Sequence, residues 1–154
     1  MVHKMASPWM RRHLVRDNLV EVLVRMFWAV AVGAAAGGVS RYYLSLAVQS
    51  RTGAAFPWGT LVVNVTGSLL LGFLMRYALA TPSLSAEVRL LLTTGFCGGY
   101  TTFSTFSYET AMLLEDGQYE RAATYALGSV IVALAAMACG FILARELIAF
   151  RARV

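Results

Sequence analysis

Thr60, Asn64 and Ser68 recur every four residues in an apolar run, so a helix there carries a hydroxyl, an amide and a second hydroxyl along one face. A second group lies in residues 95–109, GFCGGYTTFSTFSYE. There Phe103 and Phe106 are three apart, Ser104 and Ser107 form an adjacent row, and Glu109 closes the stretch. A third pair, Tyr125 and Ser129, is one helical turn apart, and Arg41 stands about fifteen residues into another apolar run. Apart from that arginine and Glu109, these are donors without formal charge. Phenyl ring edges carry partial positive charge and can attract an anion without trapping it. The set suits passage of a small, strongly hydrated anion, whose lost water is replaced by neutral donors that hold it weakly enough to release it.

Catalysis is a poor use of these residues. The histidines, His3 and His13, both lie near the N-terminus, so no histidine base, carboxylate pair or metal cluster accompanies the serines. The protein is not expected to be an enzyme. Packing is the competing explanation for each residue: serine and threonine glue helices together, and a Phe pair at helical spacing usually fills a core. Asn64 resists that explanation because all its donors and its acceptor need partners in an apolar setting.

The elements that hold these groups follow from composition. The 154 residues are 58% hydrophobic and 14% charged, with mean hydropathy +0.64. Four apolar segments, 26–48, 56–79, 88–114 and 122–147, each approach the ~20 residues that span a bilayer. The expectation is an all-α membrane protein of four transmembrane helices, with a basic extension at 1–25, a channel domain at 26–148 and a tail at 149–154. Short connections leave no room for a nucleic-acid-binding domain, and the net charge of +5 bears on orientation and anionic headgroups. Ten basic residues fall on the side of both termini and at most three on the other, which makes the termini cytoplasmic. Removing the extension but keeping Arg25 at its end leaves six against three.

The third segment is an awkward helix. Gly98-Gly99 weakens helical preference and aromatic or β-branched residues follow, so a break is expected at 98–101. At membrane depth such a break survives only inside protein or beside a wet cavity. In the first segment, Gly33, Gly37 and Gly38 form a small-residue face for close helix approach. Pro57 and Trp58 open the second segment, and Ser85-Ala86-Glu87 starts the third. Cys97 and Cys139 are expected to be buried free thiols acting as small hydrophobes. Residues 14–26 could form an amphipathic interfacial helix. The extension is either such an anchor or read-through from an upstream start codon, and no signal-peptide cleavage pattern follows it.

From about residue 33 to 145 the chain resembles the Fluc (CrcB) family of fluoride channels. The resemblance rests on the glycine-rich first segment ending in Arg41-Tyr42, on Gly59-Thr60-Leu-x-Val-Asn64-x-x-Gly67, and above all on residues 95–109. It implies a passive, fluoride-selective channel exporting cytoplasmic fluoride through a bacterial inner membrane, built as an antiparallel, dual-topology homodimer with two pathways. It also implies a structural sodium ion at the dimer centre, held by backbone carbonyls of Gly98 and Thr101. Phe103 and Phe106 would be the ring pair and Asn64 the lining amide. Tyr125 and Ser129 would form the polar track of the last helix, and Arg41 and Glu109 would be polar groups near helix ends. Ala133 stands where the family often has another hydroxyl. The basic extension is atypical, and the charge bias opposes insertion in both orientations, leaving an oppositely oriented paralogue as the alternative partner. Two other functions compete. One is a proton-coupled exporter of organic cations resembling the small multidrug resistance proteins, which would need a mid-membrane carboxylate that the first two spans lack. The other is an accessory subunit that moves no ion.

Overall fold

The computed structural model describes residues 8–53, 55–81 and 83–153, with side chains from residue 18 onward. All regular structure among them is helical. Helix α1 (Pro8–Thr52) runs for 45 residues, about 68 Å at 1.5 Å per residue. The stretch expected as a separate interfacial helix is thus continuous with the first span. Helix α2 (Trp58–Ala80) starts directly after Pro57, whose missing N–H costs nothing there. Between the two, Gln49 staples the loop: its amide nitrogen Nε2 donates to the Gly53 and Phe56 carbonyls, and its Oε1 accepts from the Gly59 N–H at 3.0 Å.

The third span comes in pieces. Ser85 caps α3 (Ala86–Leu90) by accepting from the Val88 N–H at 3.3 Å. The Glu87 carboxyl in this first turn is held below its usual range by its own backbone N–H and by the Ser85 hydroxyl. A π-helical stretch (Leu91–Cys97) and a last helical turn (Gly98–Tyr100) follow. Thr101 and Thr102 are extended, and α4 (Phe103–Glu115) resumes the span. The break therefore falls after the glycine pair, on two β-branched residues that favour extended backbone. Gly98 and Gly99 stay helical. A Cβ on Gly99 would sit 2.5 Å from the Ala34 carbonyl oxygen, so that glycine serves close packing. The π-helical turn was not foreseen. Gly117, at φ 72°, makes the turn into α5 (Tyr119–Arg151).

Two glycine seams set the packing. Along α1, a Cβ on Gly33 would stand 2.2 Å from the Leu91 carbonyl oxygen and one on Gly37 2.2 Å from that of Phe96, so the small-residue face takes the first half of the third span. Between α2 and α5, a Cβ on Gly140 would lie 2.2 Å from the Leu69 carbonyl oxygen and 2.7 Å from the Phe73 nitrogen. Both obstacles are backbone, so neither can swing away. Gly140→Val is expected to cost about 2 kcal/mol or more by forcing the helices apart, measured as a lower unfolding midpoint in detergent.

Helix α2, α5 and α1 from Asn18 onward are long and apolar enough to cross a membrane, whereas no single piece of the broken third span is. Large apolar side chains such as Phe27, Trp28, Leu127, Ile131 and Leu134 point outward from the bundle. Cys139 shares that outer surface. It is free, as expected, but exposed, because α5 turns it away from the α2 seam; Cys97 is buried.

Candidate ion-conducting site

The break in the third span strands backbone groups, and α2 supplies their partner. Asn64 Nδ2 donates to the Thr102 carbonyl at 3.0 Å, and Asn64 Oδ1 accepts from the Thr102 N–H at 2.7 Å. One amide thus replaces two lost helical bonds. Thr102 then caps α4, its hydroxyl accepting from the Thr105 N–H at 3.2 Å and donating to the Thr105 hydroxyl at 2.9 Å. The Thr101 N–H and hydroxyl both donate to the Cys97 carbonyl at 3.0 Å. Gly67 lets the break seat against α2, since a Cβ there would fall 2.4 Å from Thr101 Cγ2. Thr66, one position earlier, shares a hydrogen bond of 2.8 Å with the Tyr100 hydroxyl.

Arg41 reaches the same place from α1, donating through Nη1 to the Thr101 carbonyl at 3.4 Å. It is therefore tied to the break as well as to the mouth of a cavity of about 400 Å³ that it lines with Ser45, Gln49, Thr60 and Thr102.

Glu109 has two partners inside the bundle. The Thr60 hydroxyl donates to Oε1 at 2.8 Å and the Tyr125 hydroxyl to Oε2 at 2.6 Å. Charge-assisted bonds of this length stabilise a carboxylate that would otherwise be costly at this depth. Thr60 and Tyr125 thereby commit their only donor hydrogens to Glu109. Tyr125, 1% exposed, also packs its ring 5.2 Å from Phe106 and 5.4 Å from Phe56.

On the other side of the break, Asn64, Ser68, Thr101, Thr102, Phe103, Phe106 and Ser129 line a cavity of about 240 Å³. The Phe103 and Phe106 rings are 5.5 Å apart and tilted by 43°. The Ser129 hydroxyl is buried, with 7% of the residue exposed, and has no hydrogen-bond partner among the described residues. Asn64 has spent one of its two amide hydrogens on Thr102, and the other meets no acceptor among the described residues. Ala133 lines the same cavity without a donor. Thr102 borders both this cavity and the one at Arg41, so the break is the wall between them.

The structure gathers Asn64, Phe103, Phe106, Thr101 and Ser129 at one cavity and Thr60, Glu109 and Tyr125 at a neighbouring cluster. It leaves Ser104 and Ser107 apart from both. Ser107 donates to the Phe103 carbonyl at 2.9 Å, Ser104 meets the Thr102 hydroxyl at 3.2 Å, and both residues are exposed, as is Phe103 at 78%. Sequence reasoning passed over Thr102, Thr66 and Gln49. A signal existed only for Thr102, a threonine directly before a resumed helix.

The profile of the family described as "CrcB-like protein, Camphor Resistance (CrcB)" matches residues 28–141. The chain belongs to this family. A CrcB relative from Geobacter sulfurreducens, named "Fluoride-specific ion channel FluC", is 52% identical over 119 residues, covering 77% of this chain and 96% of that protein. Proteins of the same name from Pelobacter propionicus and a Synechococcus species are 51% and 42% identical, over 77% and 82% of this chain and 92% and 98% of theirs. Every residue of the two clusters lies inside the matched region. Family and helices together make the chain a multi-pass protein of the bacterial plasma membrane. The relatives are named as ion channels, which is not an enzyme class, and an organic-cation exporter is not favoured.

Proposed function

We propose that this CrcB protein is a passive, fluoride-selective channel. The relatives' name supports fluoride, and one observation in this chain carries the reading: the Ser129 hydroxyl is buried and has no partner among the described residues, and Ser129 lines a cavity that is also lined by the ring pair and Asn64. A buried donor without an acceptor is costly to keep, and a small anion at that cavity would satisfy it. Phe103 and Phe106 offer ring edges to the same anion, and none of these groups binds with a full charge. The Glu109 carboxylate is compensated by Thr60 and Tyr125, so it holds Tyr125 against Phe106 and positions the ring. A membrane potential negative inside favours outward movement of an anion by about 2.3 kcal/mol per 100 mV, which makes fluoride export the natural direction.

The working unit we infer is an antiparallel, dual-topology homodimer. Phe103, Ser104 and Ser107 are exposed in the single chain, and a second copy would enclose them. A structural sodium ion fits the break in part. The helix ending at Tyr100 leaves its last carbonyls without helical partners, and nothing stands within 4 Å of a Cβ position on Gly98, so that face is open. The Thr101 carbonyl is shared with Arg41. Gly98 and Thr101 would hold sodium through carbonyl oxygens, and the ion would supply positive charge between two broken helices. Arg41, Asn64 and the Thr101 hydroxyl position that backbone.

Liposomes loaded with potassium fluoride and carrying the purified protein should release fluoride at rates far above empty vesicles, with chloride retained. Phe106→Ile should lower fluoride release by about tenfold or more, by removing one ring edge and the contact to Tyr125. Equal release of chloride, or no release of either ion, would sink the proposal. Preparation without sodium should abolish flux; unchanged flux would remove the ion from the proposal and leave the channel.

A further inference from the structure

The site just described uses neither Arg76 nor Arg145. These two arginines share one depression on the outer surface of α2 and α5, an apolar groove of about 600 Å³ walled by Leu71, Met75, Met137 and Phe141. Both also line a smaller adjoining hollow of about 260 Å³ with Leu79 and Ile148. Arg76 lies about 27 Å along α2 from Trp58, so the pair stands near the end of the hydrocarbon layer while the groove runs back into it.

Neighbouring arginines are engaged. Arg89 donates to the Thr81 carbonyl, and Arg151 donates to the Tyr77 hydroxyl and lies over its ring. Among the described residues, no carboxylate and no hydrogen-bond acceptor meets Arg76 or Arg145. Among the described residues the single ion pair is Arg25 with Glu21. Glu146 follows Arg145 directly, and adjacent positions on a helix do not face each other.

We propose that this groove is a binding site for an anionic phospholipid, its phosphodiester held between Arg76 and Arg145 and an acyl chain lying along Leu71, Met75, Met137 and Phe141. Guanidinium groups suit a phosphate because their planar forks donate two bonds at once. A free phosphate ester offers the same headgroup chemistry, but the apolar wall beside the arginines fits only a ligand with a hydrocarbon tail. Zwitterionic lipid fills the groove equally well and gains less from two unpaired cations.

The full-length protein would be placed in nanodiscs containing equal amounts of phosphatidylglycerol and phosphatidylcholine and released into native mass spectrometry. The expected result is retention of phosphatidylglycerol at least tenfold over phosphatidylcholine, at one lipid per chain. R76Q combined with R145Q should erase that preference, whereas R76K combined with R145K should keep part of it. Met75→Trp, which fills the groove without altering charge, should lower retention of both lipids and serves as the second variant if the arginine changes prevent folding. Equal retention of the two lipids, or preference surviving the double Gln variant, overturns the site. Glycerol 1-phosphate displacing the bound lipid, or no effect of Met75→Trp, overturns the role of the groove. Disulfide crosslinking of two copies through Met75→Cys in a Cys139→Ser background would show the groove to be a chain-to-chain interface, and would equally overturn it.

Discussion

Ser129→Ala should cut fluoride flux by about ten- to a hundredfold while leaving stability unchanged or slightly higher. The two effects separate because of what the hydroxyl does. It is buried and meets no acceptor among the described residues, and Ser129 lines the cavity with Phe106 and Asn64. A donor to a bare anion contributes about 1.5–3 kcal/mol, which converts to that loss of rate. Removing an unsatisfied hydroxyl takes nothing from the fold, and deleting its desolvation cost can raise the unfolding midpoint. If Ser129 only packs, flux per folded channel will be the same in both proteins. Liposome efflux normalised to reconstituted protein, together with thermal unfolding in detergent, distinguishes the cases.

Asn64→Ala should fail in both measurements. Its amide holds the Thr102 N–H and carbonyl at once, so truncation leaves two backbone groups of the break without partners. Stranding a buried polar group costs about 1–3 kcal/mol in general, and interhelical bonds in membranes average nearer 0.6, so a combined loss of about 2 kcal/mol is expected. Fluoride flux should fall by about a hundredfold, because the spare amide hydrogen disappears and the Thr102 wall between the two cavities loosens. Asn64→Asp separates the two roles. It keeps an acceptor for the Thr102 N–H and so part of the stability, but it places negative charge on the anion's path and should abolish flux. Full flux in Asn64→Asp would reduce Asn64 to a clamp.

Local patterns in the chain were readable where the governing physics is local. Apolar segments near bilayer length located the spans, Pro57 and Ser85 marked helix starts, and Gly33 and Gly37 announced a close helix approach that the carbonyls of Leu91 and Phe96 fill. The need for a break in the third span was also legible, yet its position was not. Helical preference alone points to Gly98-Gly99. Gly99 stays helical because packing on Ala34 requires a residue without a side chain, and the extended pair Thr101–Thr102 is stabilised by Asn64, 38 positions away in the chain.

The same limit applies to the polar residues. Thr60, Asn64, Glu109, Tyr125 and Ser129 could be picked from the sequence as groups that apolar surroundings do not tolerate without a reason. Spacing says which side chains share a helix face, and nothing about what that face meets. Tertiary structure alone decided that Thr60 and Tyr125 spend their hydroxyl hydrogens on Glu109, that Ser104 and Ser107 are exposed, and that the Ser129 hydroxyl, at a cavity shared with Phe106, has no partner among the described residues. Residue type and period thus determined which groups need a partner in the membrane. Partner choice is set by contacts between helices distant in sequence, and only the folded bundle decides it.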